Sequence, residues 1–159
     1  MRILFVCTGN ICRSPSAEGV LRAKLQAHGL AETVTVASCG THGYHRGDPP
    51  DVRAIRVGRA RGYDLDRQRA RAWCAADADG FDLIVTAEEH HARWVRDRLG
   101  AGATARVVRL LDYAPQQTLR DLPDPYYGGL ADFERMYDLI ESAVEGIVEE
   151  CRAKLAAQR

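Results

Sequence analysis

Residues 3–15 read Ile3-Leu4-Phe5-Val6-Cys7-Thr8-Gly9-Asn10-Ile11-Cys12-Arg13-Ser14-Pro15. The apolar run at 3–6 is typical of a strand that is buried on both faces of a parallel sheet. Ser14 is a favourable helix N-cap and Pro15 suits the first helical position, so we predict a helix over 15–28. A strand, a short loop and a helix in this order predict a βαβ unit and hence an α/β fold.

Outward from this stretch, short β-branched runs alternate with helical patterns. We predict further strands at 33–37, 83–86 and 106–110, and further helices at 51–61 and 88–99. The last helix has an apolar stripe at helical spacing, formed by Phe133, Met136, Tyr137, Ile140, Val144, Ile147, Val148, Cys151 and Leu155. Strands that alternate with helices indicate a parallel sheet with helices on both faces.

The length of 159 residues favours a single domain over residues 1–159. Lys and Arg total 22 and Asp and Glu total 22, so no net charge attracts the protein to nucleic acid or to an anionic membrane. No apolar run reaches the ~20 residues of a membrane-spanning helix. Five cysteines without a signal-peptide pattern predict a reducing, cytoplasmic location rather than a disulfide framework.

Two long stretches rich in turn residues, 40–50 and 113–129, follow predicted strands. Long loops in a compact domain often have a function. Ligands of open parallel sheets bind beyond the C-terminal ends of the strands. We therefore expect both loops to border a binding site at that edge.

The segment from Cys7 to Arg13 has the composition of an anion-binding loop. Gly9 adopts positive φ freely and Asn10 tolerates it, and successive N–H groups in such a turn form a nest for an anion. The helix N-terminus adds partial positive charge, and the planar fork of Arg13 can bind two oxygens of a tetrahedral anion. The same groups stabilise Cys7 as a thiolate, a nucleophile beside the bound oxyanion.

Plainer interpretations of these residues stay open at this point. Cys7 alone suits a small buried side chain at a strand end, and Arg13 alone suits an exposed charge at a helix start. Cys7 and Cys12 lack the C-x₂-C spacing of a zinc site, and adjacent helical side chains such as His90 and His91 point in different directions. We expect no metal, and C-x₅-R-S between a strand and a Pro-containing helix start favours a catalytic phosphate loop.

Two segments together resemble the family of low-molecular-weight protein tyrosine phosphatases. One is the stretch over residues 3–18, and the other is Asp124-Pro125-Tyr126-Tyr127-Gly128, which is similar to the family's general-acid loop. Length, element order and the long final helix extend the resemblance over nearly the whole chain. It implies a single-domain three-layer α/β sandwich whose central four-stranded parallel sheet has the flavodoxin-like order 2-1-3-4.

The resemblance also implies the activity, a metal-independent hydrolysis of phosphotyrosine and aryl phosphate monoesters that needs no cofactor. Cys7 would form a phosphocysteine intermediate, Arg13 would hold the phosphoryl group, and Asp124 would protonate the leaving phenolate and later assist water. The fixed φ angles of Pro123 and Pro125 independently stiffen the segment around Asp124. The phosphate-binding loop would comprise Thr8, Gly9, Asn10, Ile11, Cys12, Arg13 and Ser14.

Supporting roles follow from the same resemblance. The loop would be shaped by Asn10, Ser14, Ser38 and Gln68. Ser14 would donate to the sulfur, and Gln68 stands where the family commonly has a histidine, which leaves loop rigidity open. Cys12 would be the redox partner of Cys7, although a thiol that merely packs under the loop is an equally good interpretation.

Tyr44, Tyr126 and Tyr127 are the expected walls of the substrate crevice, because aromatic side chains pack well on a flat phenyl ring. Of the adjacent pair we favour Tyr126 as the contact. His45 could border the crevice or be a solvated loop residue, and we favour the solvated position. A deep slot favours phosphotyrosine over the shorter phosphoserine. The expected partners are phosphotyrosine-bearing proteins and a tyrosine kinase, and phosphate-like oxyanions are expected inhibitors.

Two other activities are weighed against the phosphatase. An arsenate reductase of similar fold needs a relay of further cysteines, and Cys74 stands alone in the middle of the chain. A phosphate-binding module without turnover would not require Cys7, Arg13 and Asp124 together. The segment Thr86-Ala87-Glu88 lacks an aspartate that the family often has, which leaves substrate preference open.

Overall fold

The strands and long helices of the computed structural model, which describes residues 1–159, follow the predicted order. The strands are β1 (Arg2–Cys7), β2 (Thr35–Gly40), β3 (Leu83–Thr86) and β4 (Arg106–Arg109). The helices are α1 (Arg13–Ala27), α2 (Val52–Ala60), α3 (Asp77–Gly80), α4 (Glu89–Arg96) and α5 (Leu130–Ala157). The short α3 and a 3₁₀ turn at Leu110–Tyr113 are absent from the prediction, because elements this short carry no apolar period.

The four strands form one parallel sheet in the order β2-β1-β3-β4, which confirms the flavodoxin-like order. In the central β1, Phe5 lies opposite Ser38 of β2 and Val85 of β3. Since all strands run in one direction, their C-terminal ends meet at one edge. The segments that follow β1, β2 and β3 therefore lie close together at the edge where such sheets bind ligands.

Helices cover both faces of the sheet, which confirms the three-layer α/β fold. Ile3 and Phe5 point into the larger core, which also contains buried side chains of α1, α2 and α5. Leu4 and Val6 point into the smaller core with Val95 of α4. Because both faces of β1 are buried after its exposed first residue, the strand is apolar at every position from Ile3 to Cys7 rather than at alternate ones.

The helix α5 buries the predicted stripe from Phe133 to Cys151 and leaves Leu155 half-buried. It joins α2 through the Tyr137 hydroxyl, which donates to the Ala54 carbonyl at 2.7 Å. None of the helices combines the length and the apolar character that crossing a bilayer requires.

The start of α1 differs from the prediction in an informative way. The helix begins at Arg13, and Cys12 occupies the N-cap position without a side-chain hydrogen bond. Ser14 does not cap the helix, because its hydroxyl lies against the sulfur of Cys7. β2 also begins two residues later than predicted, since residues 33–34 still belong to the turn after α1.

Candidate active site

Residues 8–12 form the loop that joins the C-terminal end of β1 to α1. Asn10 is the one non-glycine residue of the chain with positive φ, at 59°. No backbone N–H group of residues 8–12 donates a hydrogen bond within the protein. These free donors and the positive N-terminus of α1 make the loop a nest for a tetrahedral anion.

The sulfur of Cys7 lies at the start of this loop, 3.0 Å from Ser14 Oγ. Ser14 Oγ accepts a hydrogen bond from Asn10 Nδ2 at 2.8 Å, so its own proton is left for the sulfur or for the more distant Cys39 carbonyl at 3.4 Å. The sulfur thus lies beside a hydroxyl donor and the partial positive charge at the N-terminus of α1. Although Cys7 is only 3% exposed, it lines the crevice above the loop.

Asn10 ties the loop to three neighbouring segments. Its Nδ2 also donates to Ser38 Oγ at 3.0 Å, and its Oδ1 accepts from the N–H of Arg71 at 3.0 Å. Ser38 Oγ in turn donates to Glu18 Oε1 on α1 at 2.8 Å. With all its polar atoms bonded, the buried side-chain amide holds the left-handed loop residue in place.

The guanidinium of Arg13 is buried and fixed on one side. Its Nη1 donates to Glu88 Oε2 at 2.6 Å and to the Leu122 carbonyl at 2.9 Å. Its Nη2 has no such partner and lies 3.5 Å from Asp124 Oδ2. Nη2 and Nε therefore stay available to grip two oxygens of a phosphoryl group.

Arg13 and Glu88 each shift the pKa of the other toward the charged form. Burial alone would lower the pKa of Arg13, but the negative charge of Cys7 and the hydrogen bond to Glu88 raise it. Burial alone would raise the pKa of Glu88, but the hydrogen bond from Arg13 lowers it. The glutamate directly after Ala87 thus holds the arginine.

Asp124 lies on the exposed segment that precedes α5. Its side chain is 46% exposed, and its Oδ1 accepts a hydrogen bond from the N–H of Tyr126 at 3.1 Å. Cys7, Arg13 and Asp124 line one crevice of about 300 Å³. The structure therefore brings together the three residues predicted to carry the chemistry.

The walls of this crevice are aromatic. Tyr44, Tyr126 and Tyr127 line it, at 73%, 37% and 97% exposure respectively. The expectation of a solvated His45 is wrong, because its ring packs against the loop at Gly9. If Gly9 carried a Cβ atom, that atom would lie 3.0 Å from Cδ2 of the His45 ring. The ring of His45 also meets that of Tyr126 edge-on, with centroids 6.1 Å apart, so these two residues form the inner wall.

His91 of α4 supports the loop from below and is fully buried. Its Nδ1 accepts the N–H of Glu88 at 3.1 Å, so the proton of the neutral ring is on Nε2. Nε2 lies 2.8 Å from Thr8 Oγ1 and donates to it. Burial, reinforced by the charge of Arg13, lowers the pKa of His91 to about 3.

This buried imidazole predicts a pH dependence of stability. Below pH 6.5 the unfolded chain protonates His91, whereas the folded chain excludes the proton until the pH approaches about 3. Folded stability therefore falls as the pH drops through this window, by about 1–2 kcal/mol between pH 7 and pH 5 from this group. We expect His91→Gln to flatten the change in urea midpoint between these pH values. The exposed control His28→Gln should keep the wild-type slope, and an unchanged slope in His91→Gln would refute the assignment.

His90 and His91 do not diverge as expected, since their ring centroids lie 4.0 Å apart. With Glu88 they place potential metal-ligand atoms within 4.8 Å of one another. Both His91 nitrogens are already bonded, and Glu88 Oε2 already accepts from Arg13. This cluster therefore fixes the arginine and the loop rather than offering free ligands.

Cys12 and Gln68 lie at the edge of the network. Cys12 is buried, and burial together with the charge of Asp51 raises the pKa of its thiol, so Cys12 is protonated at neutral pH. All five cysteines are free thiols. Gln68 does not join the Asn10 network, because its Nε2 donates to the Pro15 carbonyl at 2.9 Å and supports the first turn of α1 instead.

Sequence reasoning missed three polar residues that hold the site: Glu18, Glu88 and His91. Each is a titratable side chain that lies either among apolar residues of the sequence or close to the end of a strand. Such a residue needs a buried partner, because an unpaired buried charge is costly. That conflict between residue type and position is the signal that could have identified them.

Together the fold and the site define an α/β protein that presents a cysteine, an arginine and an aspartate to a tetrahedral anion. The family model described as low molecular weight phosphotyrosine protein phosphatase matches residues 2–157. The chain belongs to this family and is therefore a low molecular weight protein-tyrosine phosphatase.

Individual relatives agree over nearly their full lengths. Low molecular weight protein-tyrosine phosphatase A of Mycobacterium tuberculosis is 38% identical over 98% of this chain and 94% of its own. A low molecular weight protein-tyrosine-phosphatase of Streptomyces coelicolor is 40% identical over 97% of this chain and 95% of its own length. The crystal structure of a protein tyrosine phosphatase from Entamoeba histolytica with Hepes in the active site has 35% sequence identity and a TM-score of 0.92. The match covers 97% of this chain and 98% of the Entamoeba chain.

Proposed function

We propose that this phosphatase hydrolyses phosphotyrosine in protein substrates, and small aryl phosphates, through a phosphocysteine intermediate and without a metal ion. The observation that carries the proposal is the single crevice in which Cys7, Arg13 and Asp124 meet. Directly beside the sulfur, the free N–H groups of residues 8–12 provide a cradle for phosphoryl oxygens. Residues 1–159 would act as one phosphatase domain.

The reaction divides into two displacements at phosphorus. In the first, the sulfur of Cys7 attacks, the S–P bond forms, the bond from phosphorus to the phenolic oxygen breaks, and Asp124 gives its proton to that oxygen. In the second, Asp124 takes a proton from water, the water oxygen attacks phosphorus, and the S–P bond breaks to release phosphate and the thiolate. The loop and Arg13 stabilise the charge on the equatorial oxygens in both steps.

The walls of the crevice support an aryl substrate. A phenyl ring fits between the inner wall of His45 and Tyr126 and the outer Tyr44, where burial and stacking favour it. Phosphotyrosine proteins, and a tyrosine kinase that produces them, are the partners we propose. Hepes carries a tetrahedral sulfonate, and its place in the active site of the Entamoeba protein supports inhibition of this chain by phosphate-like oxyanions.

The proposal extends to a redox role for Cys12. Hydrogen peroxide would oxidise the Cys7 thiolate to a sulfenic acid with release of hydroxide, and the Cys12 thiol would condense with the sulfenic acid to a disulfide with loss of water. The support is that both are free thiols beside the same crevice.

A discontinuous assay tests the proposed function. We expect wild-type protein to hydrolyse p-nitrophenyl phosphate in the presence of EDTA, and a rapidly quenched digest to show one phosphoryl group on the peptide that contains Cys7. Reduction of arsenate without hydrolysis of aryl phosphates would identify a reductase instead. Binding of orthophosphate without turnover would identify a phosphate-binding module, and either result would overturn the proposal.

A further inference from the structure

Arg53 of α2 reaches across to the segment that carries Asp124. Its Nη1 donates to the Gly128 carbonyl and its Nη2 to the Tyr126 carbonyl, each at 2.9 Å. The guanidinium also lies over the ring of Phe133, with 4.5 Å from its central carbon to the ring centroid. Arg53 therefore fixes both the direction and the distance of this segment relative to α2.

The other end of this connection is the phosphate loop. Asp51, the N-cap of α2, accepts from Arg53 Nε at 3.0 Å and from Arg53 Nη2 at 2.9 Å. This pairing holds the pKa of Asp51 below its usual value. The N–H of Asp51 donates to the Ile11 carbonyl at 2.8 Å. A continuous path thus runs from the loop beside Cys7, through Asp51 and Arg53, to the opposite side of the crevice.

The segment over residues 123–129 has few other attachments. Its remaining hydrogen bonds are local, from Gly128 to Pro125 and from Gly129 to the first turn of α5. Apart from Arg53, the one polar contact that links it to residues earlier in the chain is the 3.5 Å contact between Arg13 and Asp124, and the ring of Tyr126 packs edge-on against His45. Arg53 is therefore the one residue outside the segment and α5 that donates hydrogen bonds to its backbone.

The contact reaches Asp124 through Tyr126. The carbonyl of Tyr126 is held by Arg53, while the N–H of the same residue holds Asp124 Oδ1 at 3.1 Å. We propose that Arg53 is a positioning residue that sets the aspartate at its working distance from the phosphoryl group, an inference that rests on the proposed function. Misplacement of an acid by about 1 Å can cost roughly 10²-fold in rate.

The test measures kcat/KM for two substrates, phenyl phosphate with a poor leaving group and 2,4-dinitrophenyl phosphate with a good one. We expect Arg53→Met, which keeps the aliphatic length, to lower kcat/KM for phenyl phosphate by about 10–10²-fold and for the dinitrophenyl ester by much less. Arg53→Lys keeps the charge but lacks the fork, so its loss should be intermediate. Arg56→Met, an exposed arginine of the same helix without a polar partner, is the matched control and should behave as wild type.

A double-mutant cycle distinguishes positioning from general support of the fold. In an Asp124→Ala background, we expect Arg53→Met to change kcat/KM for phenyl phosphate by no more than about twofold, because the acid it would position is absent. An equal loss on both esters, or a loss that persists in that background, would overturn the inference while leaving the phosphatase activity established. Failure of wild type to hydrolyse either ester would instead overturn the proposed function, and this inference with it.

Discussion

Cys7→Ser is expected to eliminate turnover of p-nitrophenyl phosphate, with a loss on the order of 10⁴-fold or more. A serine hydroxyl fills nearly the same space as the thiol, but it stays protonated in an environment that stabilises a thiolate. The neighbouring Ser14 Oγ, 3.0 Å from the sulfur, can donate to a thiolate but is too weak a base to remove the proton of a serine hydroxyl. The variant thus lacks a nucleophile within an otherwise intact loop.

Phosphate binding separates this loss from simple damage to the loop. Cys7→Ser removes a negative charge from beside the bound dianion, so orthophosphate should raise the melting temperature of the variant at least as much as that of wild type. Cys39→Ala, a fully buried thiol at the end of β2, is the matched control and should retain turnover per folded molecule. Turnover in Cys7→Ser above about one hundredth of wild type would show that the sulfur is not the nucleophile.

The part of the site that follows β1 could be predicted from sequence because its chemistry is local. The apolar strand, Gly9, Asn10 and Arg13 lie within a few residues of one another, and their order is enough to indicate an anion loop at a helix start. The sheet order follows from the resemblance, and the structure confirms it.

The positioning contacts could not be predicted, because they join residues that are far apart in sequence. Arg53 and Gly128 are separated by 75 residues, as are Arg13 and Glu88. Neither pair produces a periodic pattern in the sequence, because in each pair a single arginine side chain contacts a residue of a loop. The short α3 escaped because a single turn carries no apolar period, and the exact start of β2 escaped because local hydrogen bonds of the preceding turn set it.

Ser14 departs from the usual N-cap role of a serine at a helix start, because its hydroxyl contacts the active-site sulfur. Serine before a proline at a helix start is a strong N-cap pattern, and the pattern placed the helix start correctly to within two residues. The hydroxyl is used for the sulfur of Cys7 instead, and the first-turn N–H groups of α1 stay uncapped. An uncapped N-terminus costs stability but leaves its partial positive charge for an anion. Violations of local rules are therefore expected at functional sites.

Asp124→Ala should show the second large effect, and its size should depend on the substrate. Phenyl phosphate expels a basic phenolate that needs a proton, so kcat/KM should fall by about 10²–10⁴-fold. A 2,4-dinitrophenolate leaves without help, so its ester should lose far less. KM should change little in the variant, because Glu88 and the Leu122 carbonyl still hold Arg13 Nη1 without Asp124.

Asp124→Asn decides whether the carboxyl group acts as an acid or only as a loop contact. The amide oxygen can still accept the N–H of Tyr126, as Oδ1 does now, but the side chain has no proton to give. Losses that match those of Asp124→Ala would assign the proton transfer to this residue. Asp48→Asn, which removes an exposed charge beside His45, controls for repulsion of the dianionic substrate and should affect both esters equally. If Asp124→Asn kept its activity on phenyl phosphate, the general acid would have to be another group. The role of Asp124 would then be limited to its hydrogen bond with the N–H of Tyr126.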